Sequence, residues 1–139
     1  MDATVIHEKL ESLRRCLERI RQRRPESAES LSSDLDAQDI VTVNLTRAVR
    51  LCVDIASHVL TETNQPPPDT MGQSFDRLAD SNLISESLAS RMKAAVGFRN
   101  IATHSYREID WGIVDAIATE HLSDFEHFAR AILRQASGQ

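Results

Sequence analysis

In the first stretch of the chain Ile6, Leu10, Leu13, Leu17 and Ile20 recur at spacings of four, three, four and three, with charged and polar residues between them. That spacing lays one apolar seam along a helix packed lengthwise on others. It predicts a first helix from about residue 3 to Arg24, stopped by Pro25, which lacks an amide proton and disfavours helical backbone just before it. Residues 25–34, "PESAESLSSD", are rich in cap and turn formers and read as a connection. From Leu35 to Thr63 there is neither Gly nor Pro, and Ile40, Leu51, Ile55 and Val59 mark the apolar stripe of a long central helix.

The prolines of "NQPPPD" end that helix, and a short one is expected over Met71–Ala79. Asn82 is a helix-stop residue and Ser85 a cap for "ESLASRMKAAVGFRNIAT", with Leu88, Met92, Ala95, Val96 and Ile101 facing inward. Asp110 is expected to cap a last helix to about Gln135, carrying Ile113, Ile117, Leu122, Phe125, Phe128, Ile132 and Leu133 inward, after which "ASGQ" frays. No segment alternates with a strand period. The prediction is all-α: one domain over 1–139, an up-and-down bundle of four long helices and one short one.

Composition supports a packed domain rather than a disordered chain: 41% of the 139 residues are hydrophobic, and Gly and Pro number four each. No apolar run reaches the ~20 residues that span a bilayer, and the N-terminus is too polar for a signal peptide, so a cytoplasmic protein without membrane attachment is expected. Cys16 and Cys52 lie among apolar residues and read as buried reduced thiols.

The net charge of -5 argues against a surface coated for nucleic acid. Yet 14 of the 16 basic residues are Arg, and Arg14, Arg15, Arg19, Arg21, Arg23 and Arg24 crowd the end of the first helix, where cations suit the helix dipole. Asp34, Asp36 and Asp39 open the long helix, where negative charge suits the opposite end of the dipole. His121 and His127, six apart, face different ways and do not suggest zinc. No Gly-rich phosphate loop, paired C-x2-C or nucleophile elbow is present, and no metal or cofactor is expected.

One constellation stands out. Arg99, His104 and Tyr106 form R-x4-H-x-Y around the chain's only tyrosine. Arg and His at this spacing are expected by chance about half a time in such a composition, and with the sole tyrosine two further on about 0.003 times. Five residues on an α-helix turn about 140°, so Arg99 and His104 meet only if the helix ends near Thr103 or a second subunit brings its own copies. Asn100, four before His104, shares its face and is placed to orient the ring.

The motif resembles that of the HepT-like ribonuclease toxins of the HEPN superfamily. The long helix "QDIVTVNLTRAVRLCVDIASHVL" and the lead-in "NLISESLASRMKAAVGFRNIATHSY" are similar to the family pattern across most of residues 35–111. The resemblance implies an all-helical homodimer whose two motifs face each other and cut RNA without metal. His104 is the implied acid–base, a role that suits an imidazole of ordinary pKa near ~6.5. Arg99 is the implied phosphate clamp and Asn100 a positioning residue.

It further implies a partner, a minimal nucleotidyltransferase antitoxin of the MntA type, that transfers AMP to Tyr106 and with which a larger hetero-oligomer can form. Asp54 and His58, four apart on the long helix, also fit the pattern and are expected to hydrogen-bond within or at the edge of the bundle. An alternative of another class is a noncatalytic adaptor or substrate-binding subunit for a nucleotidyltransferase.

Overall fold

The computed structural model describes residues 2–136. In chain order it contains α1 (Ala3–Arg23), α2 (Ala28–Ser33), α3 (Leu35–Leu60), α4 (Met71–Asp80), α5 (Glu86–His104), a 3-10 turn (Tyr106–Glu108), α6 (Trp111–Glu120) and α7 (Leu122–Ala136). No strand occurs among the described residues. The predicted fray of the tail falls largely on residues 137–139, outside those described.

Six of the seven α-helices among the described residues begin where a side chain takes over an amide that the helix leaves unpaired. Asp2, Ser27, Asp34, Thr70, Ser85 and Asp110 accept from amides two or three residues on, at the starts of α1 to α6 respectively. At the end of α4, Asn82 takes a left-handed conformation (φ 61°). The Asn82 and Leu83 amides then donate to the Ala79 and Leu78 carbonyls at 2.9 Å each, a Schellman closure that turns the chain toward α5.

Two elements differ from the sequence expectation. Residues 25–34 are not a plain connection, because Ser27 caps the six-residue helix α2 and Leu31 anchors it in the core at 1% exposure. Gln38 at the start of α3 donates to the Leu31 and Ser32 carbonyls at 2.9 and 3.0 Å, so the end of α2 is satisfied from inside the protein. The predicted last helix is two helices broken at His121, with neither Gly nor Pro at the break. Arg24 reaches across from the end of α1 to donate to the Ala118 carbonyl, one of those that α6 leaves free. The break lets α6 pack on α2 while α7 packs on α1 and α5.

The seam read from the sequence is real: Ile6, Leu13, Leu17 and Ile20 are buried, and α1 lies along α3. Lys9, early in α1, reaches Asp54, late in α3, so the two run antiparallel. Phe75 and Phe128 meet edge to face in the interior, 5.7 Å between centroids. Cys16 and Cys52 are buried and free, and burial pushes both thiols above their ordinary pKa. Ile101, expected inward, is 45% exposed, and Ile113 and Leu133 are also exposed. No helix is long and apolar enough to cross a membrane among the described residues.

Phe128→Ala should cost about 3–5 kcal/mol in urea unfolding followed by circular dichroism, because the vacated volume is enclosed on all sides. Leu35→Ala, at a position 73% exposed, should stay within about 0.5 kcal/mol of the parent.

Candidate functional site

Helix α5 supplies three of the residues singled out from the sequence. It begins at the Ser85 cap and is held by Leu88, Met92, Val96, Phe98 and Ala102, all buried. It continues unbroken through His104, and only Ser105 leaves the helical region (φ -142°, ψ 48°). The first of the two routes to convergence is therefore closed. Arg99 and His104 stay about 140° apart around α5.

Asn100 does not serve His104 within this chain. Its Oδ1 accepts from the Arg99 guanidinium at 3.3 Å, which restrains the arginine instead. His104 is exposed, with no hydrogen bond or ion pair among the described residues, so its ring is open to an incoming group.

Tyr106 sits just past the helix in the 3-10 turn, 44% exposed. Two contacts fix it. Its hydroxyl donates to Asp39 Oδ1 of α3 at 3.1 Å, and its ring meets Trp111 edge to face at 6.1 Å. Burial raises the phenol pKa, and the adjacent Asp39 carboxylate raises it further, since a phenolate there would lose a hydrogen bond and face a like charge.

Asp39 and Trp111 are the functional neighbours that sequence reasoning missed. Asp39 had been grouped with Asp34 and Asp36 as dipole-compatible charge. Asp34 is indeed the cap, accepting from the Ala37 amide at 3.0 Å, whereas Asp39 lies a turn further on and faces a residue 67 positions away.

Asp54 and His58 are not brought together. Asp54 receives Lys9 at 3.7 Å and Arg50 at 3.5 Å, tying α1 to α3, while the exposed His58 offers only its carbonyl, to the Thr61 hydroxyl at 2.6 Å. Among the described residues no three His, Cys, Asp or Glu side chains are grouped to share a metal ion.

The outer face of α5 borders an apolar groove of about 510 Å³, between α5 and the 3-10 turn, α6 and α7. Met92, Phe98, Ile101, Ile109, Ile113 and Ile117 line it. Neither Arg99 nor His104 lines it; Ile101, three residues before His104, lies about 60° from that histidine around α5 and about 160° from Arg99.

A family profile described as "Ribonuclease HepT-like" matches residues 13–132. The mRNA nuclease HepT of Shewanella oneidensis is 37% identical over 128 residues, covering 92% of this chain and 96% of that protein. The chain belongs to the HepT-like ribonuclease family.

Solved structures agree with that membership. A toxin–antitoxin crystal structure with AMP-PNP superposes on this HepT-like chain with a TM-score of 0.88 at 35% identity, covering 94% of it and 98% of the solved chain. The tri-AMPylated Shewanella oneidensis HEPN toxin in complex with MNT antitoxin gives a TM-score of 0.87 at 36% identity, covering 93% and 96%. The all-α bundle is thus that of HEPN proteins.

Tyr106 is the only tyrosine, so ultraviolet difference absorbance titrates it alone. The midpoint should lie above the ordinary value of 10.0 and fall toward it in Asp39→Ala. Because the fold favours the neutral phenol, its contribution to stability is present below pH 10.0 and fades as pH rises through the folded value. An unchanged midpoint in Asp39→Ala would remove Asp39 from the account.

Proposed function

We propose that this HepT-like protein is the toxin of a toxin–antitoxin pair, a metal-independent endoribonuclease acting on tRNA or mRNA in the cytoplasm. It is silenced when a nucleotidyltransferase antitoxin of the MntA type transfers AMP to Tyr106. The observation that carries the reading is a complete R-x4-H-x-Y motif displayed on the open end of α5 in a chain of this family. The Shewanella oneidensis relatives, an mRNA nuclease and an AMPylated toxin bound to MNT antitoxin, support it.

The working site takes residues from two copies. The divergence of Arg99 and His104 on one helix leaves each chain with half a site, and the apolar groove that α5 lines through Ile101 offers a face for a second copy to cover. Across that dimer one His104 imidazole takes the proton of a ribose 2′-hydroxyl while the oxygen attacks phosphorus. The P–O5′ bond breaks, the other His104 protonates the departing 5′-oxygen, and a 2′,3′-cyclic phosphate remains. Arg99, steadied by Asn100, forks onto the phosphate and stabilises the growing charge.

AMPylation joins the Tyr106 Oη to the α-phosphorus of ATP as the α–β anhydride breaks and pyrophosphate leaves. Asp39, at 3.1 Å, is placed to receive the phenol proton. The product adds bulk and negative charge two residues from His104, where an RNA phosphate must sit.

Expression of His104→Ala should abolish growth arrest and reduce RNA cleavage at least 100-fold, the lower range for removal of an acid–base group. The wild-type products should carry 2′,3′-cyclic phosphates, and the rate should be unchanged by EDTA. Equal cleavage by His104→Ala and wild type contradicts the mechanism. Equal inactivity of both points instead to an adaptor. Tyr106→Phe should cut RNA yet escape silencing on co-expression with the antitoxin, with AMP found by mass spectrometry only on Tyr106 of the wild type.

Ile101→Asp should move the protein in light scattering from about twice 15.6 kDa toward 15.6 kDa and take cleavage with it. A fully active monomer would contradict the two-copy site.

A further inference from the structure

Between α1 and α3 lies a second groove, of about 760 Å³, whose lining the proposed RNA-cleavage step does not use. Arg15 and Arg19 of α1 and Arg47 and Arg50 of α3 line it, and Asp39 lies at one end. Four of the 14 arginines of an acidic chain therefore share one trough. Asp39, Val43, Arg47 and Arg50 follow helical spacing along α3, and by the 1.5 Å rise they span about 16 Å.

The charges in this trough are unevenly neutralised. Arg15 has Glu11 at 3.6 Å, and Arg50 has Asp54 at 3.5 Å. Arg19 and Arg47 have no carboxylate within ion-pair distance among the described residues. Along the rest of α1 and at its end, Arg14 pairs with Glu11 and Glu18, Arg21 with Glu126, and Arg24 bonds the Ala118 carbonyl. The floor between the guanidinium groups is largely apolar, with Cys16, Ile40 and Val43, the last 43% exposed. Arginine walls over an apolar floor suit a strand with phosphates on its edge and sugars and bases on its face.

A second observation gives the trough a direction. Asp39, at its end, is the residue that holds the Tyr106 hydroxyl at 3.1 Å. The hydroxyl that the proposed antitoxin modifies therefore stands at the mouth of the trough.

We infer that the α1–α3 groove binds the phosphodiester backbone of a nucleotide strand, with Arg19 and Arg47 as its free phosphate clamps and Tyr106 at its entrance. The inference rests on the ribonuclease reading above. Two strands present this chemistry: RNA on its way to His104, and a chain of AMP units on Tyr106, each further unit added as a ribose hydroxyl of the last attacks the α-phosphorus of ATP and pyrophosphate leaves. If both use the groove, the modification silences the toxin by occupying the RNA's own track.

The test pairs Arg19→Gln with Arg47→Gln in the full chain. Both residues are exposed, and glutamine keeps helix propensity. Arg23→Gln with Arg130→Gln makes the same charge change elsewhere. In a His104→Ala background, binding of a fluorescein-labelled single-stranded RNA is followed by anisotropy between about 50 and 200 mM salt. The groove pair should weaken binding about tenfold, and the slope of log K on log salt should fall by about 1.4, from two phosphate contacts at ~0.7 each. The control pair should leave the slope unchanged.

If only the adenylyl chain uses the groove, RNA binding is unaffected, and intact mass of protein co-expressed with the antitoxin shows shorter chains on Tyr106 in the groove pair alone. No effect in either arm, or equal effects from the control pair, overturns the inference. Cleavage by wild-type protein judges the ribonuclease reading separately, since the anisotropy difference does not depend on it.

Discussion

An α5 helix that runs without interruption through His104 is the constraint on which the site depends. Had the helix ended one turn earlier, the chain could have folded Arg99 and His104 toward each other. Instead the Ser105 amide still donates to the Ile101 carbonyl at 2.8 Å, and the two side chains point about 140° apart. A catalytic proposal for this protein must then draw on a second copy. The exposed Ile101, on a helix that buries Leu88, Met92, Val96 and Phe98, fits the proposed face between two copies.

The end of α5 also sets how the tyrosine is held. A 3-10 turn carries Tyr106 away from the helix axis, to a point where α3 and α6 both reach it. Asp39 fixes the hydroxyl and Trp111 the ring, so the phenol has a defined direction despite being 44% exposed. Burial, and then that contact, raise the pKa of the phenol, so the hydroxyl is held neutral beside the carboxylate proposed to take its proton. The acidic net charge is compatible with the proposed RNA contacts, because those are confined to local arginine clusters instead of spread over the protein.

Much of the fold was legible in the sequence, since helix spacing, caps and prolines act locally. The seam from Ile6 to Ile20, the Ser85 and Asp110 caps and the Asn82 stop all recur in the structure. What escaped depended on distant partners. The break at His121 is satisfied by Arg24, 94 residues from Ala118, and α2 is closed by Gln38 of the next helix. The Asp39–Tyr106 bond joins positions 67 apart, and Asp54 meets Lys9, 45 positions away, as well as Arg50 on its own helix. The motif itself was visible because its three residues are close in the chain, while the geometry that makes it half a site became visible only with the helix end in place.

The central claim, that the reaction centre combines residues of two copies, is tested most directly by mixing an active and an inactive protein. Wild type and His104→Ala, purified apart and then unfolded and refolded together, form mixed dimers that hold a single His104, one short of the base and the acid that cleavage needs. The account predicts that RNA cleavage tracks the fraction of wild-type homodimer measured by native mass spectrometry. Cleavage that instead follows the total amount of wild-type chain, with mixed dimers half as active as wild-type dimers, would contradict it.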